Sequence, residues 1–279
     1  VAHADPQRVH GAVMDMLAAG NAYRDGYGAV INAPRDIPSG DAPVPPCLIT
    51  AYNGDPLQAH IDRLGEIPAN WEARKVVTPA DHQAISAEFL LAQGGVAVER
   101  LPETDKAGFL PIRTAHFDGL IHWTGTRGST KLVVHGPARS SALVDHDGAV
   151  AIDLPGHGLS DGWIGDAPTD WAAWQGVIEA AAAALGADDI VCEALPAGDP
   201  DLLYPELTPD RHGGYLTRAW SIVRAERFFA PWYEASAANA IPFEEGAITP
   251  EALARAHLDR LRGVAAHSCH VARRAAGVA

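Results

Sequence analysis

The chain is poor in cysteine and in basic residues. Its three cysteines, Cys47, Cys192 and Cys269, lie far apart in 279 residues and show no metal-ligand spacing. Reduced thiols in a cytoplasmic setting are therefore expected. There are 21 Lys and Arg against 35 Asp and Glu, a formal net charge of −14. This excess of negative charge argues against nucleic acid and anionic membrane surfaces as partners.

Long hydrophobic runs are also lacking. The longest apolar-rich stretch is VIEAAAAALGA, which is too short and too rich in alanine to span a bilayer. No basic-then-apolar signal segment opens the chain, although its start at Val1 rather than methionine predicts that an upstream segment has been removed. With 47% hydrophobic residues, the chain has enough apolar material for one large α/β domain or two smaller ones.

Two apolar runs in the middle of the chain each end in a glycine-rich turn. The first is KLVVHG, which ends at His135-Gly136, and the second is GAVAIDLPGHGLSDGW. Each run is short, apolar and followed by residues that continue neither helix nor strand. They therefore predict two buried strands of an α/β sheet, with a functional site in the loops that follow them.

These two motifs resemble the α/β-hydrolase family, whose members carry strand-His-Gly, a loop, and then strand-Asp-x-Pro-Gly-His-Gly-x-Ser. The resemblance implies an α/β fold, a three-layer α/β-hydrolase-like sheet flanked by helices and covered by a helical cap. In the family, the backbone N–H just after His-Gly helps to hold the oxyanion of a tetrahedral intermediate. The matching segment here is Gly136, Pro137 and Ala138, and Pro137 has no N–H to donate.

The first third of the chain carries an acidic residue and a histidine in the order strand, Asp, helix, strand, His, helix. A buried strand is predicted from Cys47 to Tyr52, with Asp55 beyond its carboxyl end. A second strand, around residues 75–78, precedes His82 and a helix that is expected from Ile85. The family ends in this order, so the resemblance implies Asp55 as the triad acid and His82 as the base. The alternative is a turn-forming Asp and a surface His.

The nucleophile elbow of the family, G-x-S-x-G, has no counterpart with a hydroxyl group. Without gaps, the pattern falls on residues 194–198 and places Pro196 at the serine position. A proline supplies neither a nucleophile nor an N–H. Cys192 lies close by, either as a shifted nucleophile or as a small buried thiol on a strand. The other hydroxyl groups near the expected site belong to Ser140, Ser141 and Ser160.

The last third of the chain resembles the cap of one group of these hydrolases, with Asp-x-x-Gly-x-x-Leu, Ala-Trp and Phe-x-Pro-Trp elements. Trp220 and Trp232 are expected to contact a small apolar substrate, with plain helix packing as the alternative. One predicted helix carries His267, Cys269 and His270. Their spacing on a single helix does not bring them together around a metal ion, so a solvated helix end is predicted. No metal, nucleotide or flavin cofactor is implied.

The motifs stand in the wrong order for a standard domain. Residues 1–93 resemble the late half of a hydrolase, residues 107–198 the early half, and residues 199–279 the cap with a following helix. Residues 94–106 are a predicted linker because they combine paired glycines, a proline and charges. Three arrangements stay open: a permuted single sheet, a fragment of a longer tandem protein, and a domain-exchanged homodimer.

Two functions are compatible with these residues. The first is hydrolysis of an apolar ester, thioester or related carbonyl substrate, with His82 as general base and Asp55 orienting it; without a serine, the pair would activate water directly. The second is a degenerate hydrolase homologue that serves as a binding, scaffold or interaction subunit. Pro196 favours the second function, whereas Asp55, His82 and the strand-end glycines favour the first.

Overall fold

The structure is a computed structural model that describes residues 5–33, 37–95, 106–144 and 147–278. Two compact units divide the chain. The first unit comprises Asp15–Leu101, and the second comprises Asp5–Met14 with Pro102–Ala279. Most of the predicted linker, residues 96–105, lies outside the described residues.

The first unit contains a small parallel sheet with helices. Its elements are the later part of α1 (Pro6–Ala19), α2 (Asn21–Asn32), β1 (Cys47–Tyr52), α3 (Gln58–Ile61), β2 (Trp71–Val76) and α4 (Pro79–Ala92). Strands β1 and β2 pair in parallel, with Cys47 opposite Trp71. Because both strands run in the same direction, the connections after them leave from the same edge.

Helix α4 begins six residues earlier than the helix predicted from Ile85. Thr78 caps it: the Thr78 side chain accepts the N–H of Asp81, and the Asp81 carboxylate accepts the N–H of Thr78. This reciprocal pair, followed by Pro79 at the first helical position, is a capping box. His82 consequently lies within the helix, not in a loop before it.

The second unit is built on a five-stranded mixed sheet. Its strands are β3 (Ala107–Arg113), β4 (Asp118–Gly125), β5 (Lys131–Val134), β6 (Val150–Ile152) and β7 (Asp189–Cys192). Their order in the sheet is β3-β4-β6-β5-β7. Strand β4 is antiparallel to both of its neighbours, whereas β5 runs parallel to β6 and to β7. The carboxyl ends of β5, β6 and β7 therefore meet at one edge of the sheet.

Helices surround this sheet. They are α5 (Trp171–Leu185), α6 (Pro200–Leu203), α7 (Gly214–Ala225), α8 (Pro250–Arg262) and α9 (Ala266–Ala275). Asp170 begins α5 by accepting the N–H of Ala172, and Gly186 ends it in the left-handed conformation. None of the helices in the described ranges is long and apolar enough to cross a membrane.

The main core lies between one face of the sheet and the two helices α5 and α9. Trp123 and Trp174 are fully buried in it, together with Leu132 and Val134 of β5 and Cys269 of α9. Burying each such side chain stabilises the fold by about 1.5–3 kcal/mol. The alternate β5 residue Val133 joins a second cluster on the opposite face, with Val144, Ala149 and Ala151. The expected α/β architecture with flanking helices is confirmed.

Candidate functional site at the carboxyl edge of the second sheet

Asp153 joins the loops that follow β5 and β6. Its carboxylate is buried and accepts the N–H of Ser141 at 2.6 Å, the N–H of Leu159 at 2.8 Å and Nδ1–H of His122 at 2.9 Å. Burial by itself raises the pKa of this carboxyl group, but the hydrogen bond from His122 and the backbone donors outweigh it and lower the pKa to about 2. Asp153 is therefore an ionised structural anchor at neutral pH.

Two buried histidines, His135 and His157, lie beside this anchor with ring centroids 5.2 Å apart. His135 accepts the N–H of Leu154 at Nε2 and faces the Gly136 carbonyl with Nδ1 at 2.7 Å, so its proton lies on Nδ1. His157 Nδ1 lies 3.1 Å from the Pro155 carbonyl oxygen. Burial lowers the pKa of both rings, that of His157 to about 3. Both rings are therefore neutral at neutral pH.

The predicted oxyanion segment contacts a carboxylate of the chain itself. Gly136 N–H donates to Oε2 of Glu193 at 2.8 Å, and Arg139 pairs with the same carboxylate through Nε at 2.9 Å and Nη2 at 3.2 Å. Pro137 has no N–H, and Ala138 has a left-handed backbone with φ 58°. The residue after His135-Gly136, whose N–H should face a developing oxyanion, thus has no N–H to donate, and the preceding Gly136 N–H faces an existing anion.

In the described residues 193–199, which include the elbow position, no helix follows β7 directly. Strand β7 ends at Cys192, and Glu193 N–H still pairs with the Val134 carbonyl at 2.9 Å. The next helix along the chain is the short α6, which starts at Pro200, beyond Pro196. Burial raises the pKa of the Cys192 thiol, so this group is a poor nucleophile.

Two of the three candidate serines hold their hydroxyl groups in hydrogen bonds within the protein. Ser140 Oγ donates to the Asp259 carboxylate at 2.8 Å, and Ser160 Oγ donates to the Asp153 carbonyl at 2.7 Å. Ser141 Oγ is buried and has no hydrogen-bond partner among the described residues. Within the described residues, no hydrogen bond links any of these three hydroxyl groups to a histidine ring.

A cavity of about 260 Å³ lies next to the oxyanion segment. Four predicted positions line it: Pro137, Ala138, Pro196 and Trp232. Its apolar walls also include Leu143, Leu203 and Phe229, and its charged lining residues are Arg139, Arg227, Arg260 and Glu226. A second cavity, of about 520 Å³, shares Ala138, Tyr204 and Arg260 with it.

The two predicted cap tryptophans take different positions. Trp232 lines the 260 Å³ cavity and donates its Nε1–H to the Leu203 carbonyl at 3.2 Å. Trp220 is half-buried and is not among the described residues that line that cavity. The rings of Trp220 and His257 instead form a T-shaped pair with centroids 5.7 Å apart. This contact corresponds to the alternative of plain helix packing.

Comparison with known proteins gives similarity to solved structures only. No protein-family model matches the chain, and no curated protein matches it. A thermophilic esterase is 16% identical over 60% of this chain and 68% of its own, with a TM-score of 0.37. The Cif epoxide hydrolase from Acinetobacter nosocomialis is 15% identical over 72% and 76%, with a TM-score of 0.35. The N-acyl homoserine lactonase AidH is 18% identical over 55% and 67%, with a TM-score of 0.32.

The strand order of the second unit gives the fold independently of these comparisons. Strand β6 lies between β4 and β5, β4 is antiparallel, and the two glycine-rich turns follow β5 and β6. This is a mixed α/β sheet flanked by helices. The chain has an α/β fold. Fold by itself does not determine activity.

The acid and base positions implied by the α/β-hydrolase resemblance lie in the first unit. Asp55 follows β1, and its Oδ1 accepts the N–H of Leu57 at 2.8 Å, which is a local turn contact. The ring centroids of His82 and Tyr52 lie 5.9 Å apart. Nδ1 of His82 is buried and has no hydrogen-bond partner among the described residues. Within the described part of this unit, no hydrogen bond joins Asp55 to His82. Their catalytic roles stay predictions.

The solvated end predicted for the last helix is wrong for two of its three residues. Cys269 is buried in the main core, and His270 is buried with its ring centroid 5.4 Å from that of Tyr204. Burial raises the pKa of Cys269 to about 12. His267 is paired with Asp201 at 2.7 Å. Across the described ranges, no three His, Cys, Asp or Glu side chains are grouped to hold a metal ion.

Proposed function

We propose that the chain is a degenerate α/β-hydrolase homologue that binds a small apolar ligand in the 260 Å³ cavity without acyl transfer at the elbow position. The observation that carries this proposal is the Glu193 carboxylate beside the oxyanion segment: it accepts from Gly136 N–H at 2.8 Å, and the next residue, Pro137, has no N–H to donate. Ester hydrolysis requires an N–H group aimed at the oxyanion of the tetrahedral intermediate. An oxyanion at this position would meet the negative charge of Glu193.

The expected catalytic loss is large. Removal of one oxyanion donor from a working site lowers kcat by about 10²- to 10³-fold. Pro196 adds a second loss, because the position of the nucleophile has neither a hydroxyl nor an N–H. With both losses, ligand binding in the cavity is the role that we propose.

The lining of the cavity supports ligand binding. Ligand sites are walled mainly by apolar side chains, with a few polar groups that orient the ligand. The side chains of Leu143, Leu203, Phe229 and Trp232 supply the apolar wall here. Because the indole N–H of Trp232 is held by the Leu203 carbonyl, the flat ring is fixed in place as a contact surface.

Calorimetric titration with hexan-1-ol, an uncharged apolar probe, tests this proposal. We expect the wild-type chain to bind it and Trp232→Leu to weaken binding by about tenfold or more, since a buried aromatic contact is lost. Trp220→Leu is the matched control because Trp220 lies in the cap region but is not among the described cavity-lining residues. Absence of binding by the wild-type chain would overturn the proposal.

A second candidate function is hydrolysis of an apolar ester, thioester or related carbonyl substrate by the Asp55–His82 pair. The observation in its favour is the buried Nδ1 of His82, which has no hydrogen-bond partner in the described residues. An imidazole in this state can act as a general base on water. Its test is a panel of short and medium acyl esters given to wild type, His82→Ala and the exposed control His60→Ala. Activity lost only in His82→Ala supports this candidate, and an inactive wild type excludes it.

A further inference from the structure

Buried hydrogen-bond donors are among the residues that line the 260 Å³ cavity. Tyr204 and Arg260 both line it, and only 8% and 6% of their surfaces are exposed. The Tyr204 hydroxyl and the Arg260 Nε are buried and have no hydrogen-bond partner among the described residues. Buried polar atoms are nearly always hydrogen-bonded in proteins. Two such donors on one cavity therefore indicate a ligand that accepts hydrogen bonds.

The position of Arg260 is firmly held by the rest of the protein. One terminal nitrogen donates to the Leu203 carbonyl at 3.2 Å, and the other is paired with the Glu226 carboxylate. The guanidinium carbon also lies 5.4 Å from the centre of the Tyr204 ring. These contacts orient the guanidinium group and leave Nε as its unused donor.

The charges around the cavity favour a single negative charge in the ligand. Arg139 and Arg260 are each paired with a carboxylate, Glu193 and Glu226. Arg227 also lines the cavity, and its Nε is buried without a hydrogen-bond partner. It has no ion-pair partner in the part of the chain that the structure describes. One uncompensated cation therefore faces the cavity.

We propose that Tyr204, Arg227 and Arg260 bind the carboxylate of a small organic acid whose apolar part contacts Phe229 and Trp232. The proposal rests on the function proposed above and specifies the chemical class of the ligand. A carboxylate can accept hydrogen bonds from one hydroxyl and two guanidinium groups, and its single charge matches that of Arg227. The burial of these donors protects the interaction from competing water.

The test compares hexanoate with hexan-1-ol by calorimetric titration of the full chain. We expect hexanoate to bind about tenfold more tightly or better, because charge-assisted hydrogen bonds are formed only by the acid. Tyr204→Phe should remove most of this preference by weakening hexanoate binding more than hexan-1-ol binding. Since the Tyr204 hydroxyl has no partner among the described residues, this substitution should not lower the melting temperature.

Arg227→Gln is the second variant, and it should weaken hexanoate binding by about tenfold. Its matched control is Arg224→Gln, because Arg224 is exposed, lies near the end of α7 and is not among the described cavity-lining residues. Equal affinity for the acid and the alcohol would overturn the carboxylate site while supporting apolar binding. Hexanoate binding that neither Tyr204→Phe nor Arg227→Gln weakens would also overturn it. Failure of hexan-1-ol to bind the wild-type chain would overturn the proposed function itself, whether or not hexanoate binds.

Discussion

Gly136 N–H donates to the Glu193 carboxylate across 2.8 Å. The two residues follow the neighbouring parallel strands β5 and β7, so their loops leave the same edge of the sheet. Arg139 contacts the same carboxylate through two nitrogens and holds it against the glycine. This arrangement gives the segment after His135 a structural role in place of oxyanion binding.

Glu193→Gln should lower the free energy of unfolding by about 1 kcal/mol or less. The amide still accepts from Gly136, but the ion pair with Arg139 is lost, and that pair is partly exposed, with side-chain exposures of 39% for Arg139 and 26% for Glu193. Urea unfolding measures the change, with exposed Glu179→Gln as the control. Ester hydrolysis gained by Glu193→Gln would show that the carboxylate alone had blocked catalysis.

Gly158→Ala should destabilise the protein by about 3 kcal/mol or more. Gly158 has φ 53°, and an added Cβ would overlap the buried Asp153 carboxylate, which is tied to the loop by other hydrogen bonds. Gly162→Ala is the control, because its Cβ would meet nothing nearby. Similar urea midpoints for the two variants would mean that the Asp153 anchor can move.

Asp259→Asn should stabilise the protein at pH 7 by about 1–3 kcal/mol. Burial raises the pKa of Asp259 from 3.8 to about 6, although Ser140 donates to it. The folded state therefore binds the proton more tightly than the unfolded state, and the wild type loses stability as the pH rises from about 4 to 6. The amide removes this loss and still accepts from Ser140. Urea unfolding at pH 7 and pH 4 should show a gain only at pH 7, and an equal gain at both would contradict the prediction.

His157 should make the protein less stable as the pH falls below 6.5. Burial lowers its pKa from 6.5 to about 3, so the unfolded state takes up the proton first. The stability that the neutral ring provides is complete above pH 6.5 and decreases by up to about 1.4 kcal/mol per pH unit down to about pH 3. His157→Phe should show a shallower decrease between pH 6.5 and 5 than wild type. The exposed control His116→Phe should keep the wild-type slope, and a matching slope in His157→Phe would disprove the assignment.

Local patterns in the sequence were sufficient to predict two strands of the second unit. The apolar runs before His135 and Asp153 became β5 and β6, and the α/β fold agrees with what the resemblance implies. The start of α4 was also present in the sequence, since Thr78, Pro79 and Asp81 have capping-box spacing. That signal was missed when the helix was predicted from Ile85.

The candidate site was predicted only in part. Pro137, Ala138, Pro196 and Trp232 line one cavity, whereas Trp220 packs against His257. Asp55 and His82 are not joined by a hydrogen bond in the described part of the first unit. Tyr204, Arg227 and Arg260 belong to no motif of the resemblance, so the sequence contained no signal that would have brought them together.

The sequence by itself determined the strands, the glycine-rich turns and the loss of the elbow serine, because these depend on the chemistry of neighbouring residues. The tertiary structure decided which groups are neutral, paired or without a partner. Glu193 reaches Gly136 across 57 positions of sequence, and Arg260 meets Tyr204 only because α8 packs beside the segment after α6. Burial and hydrogen bonding between distant segments depend on how the elements pack, and local periodicity carries no information about that packing.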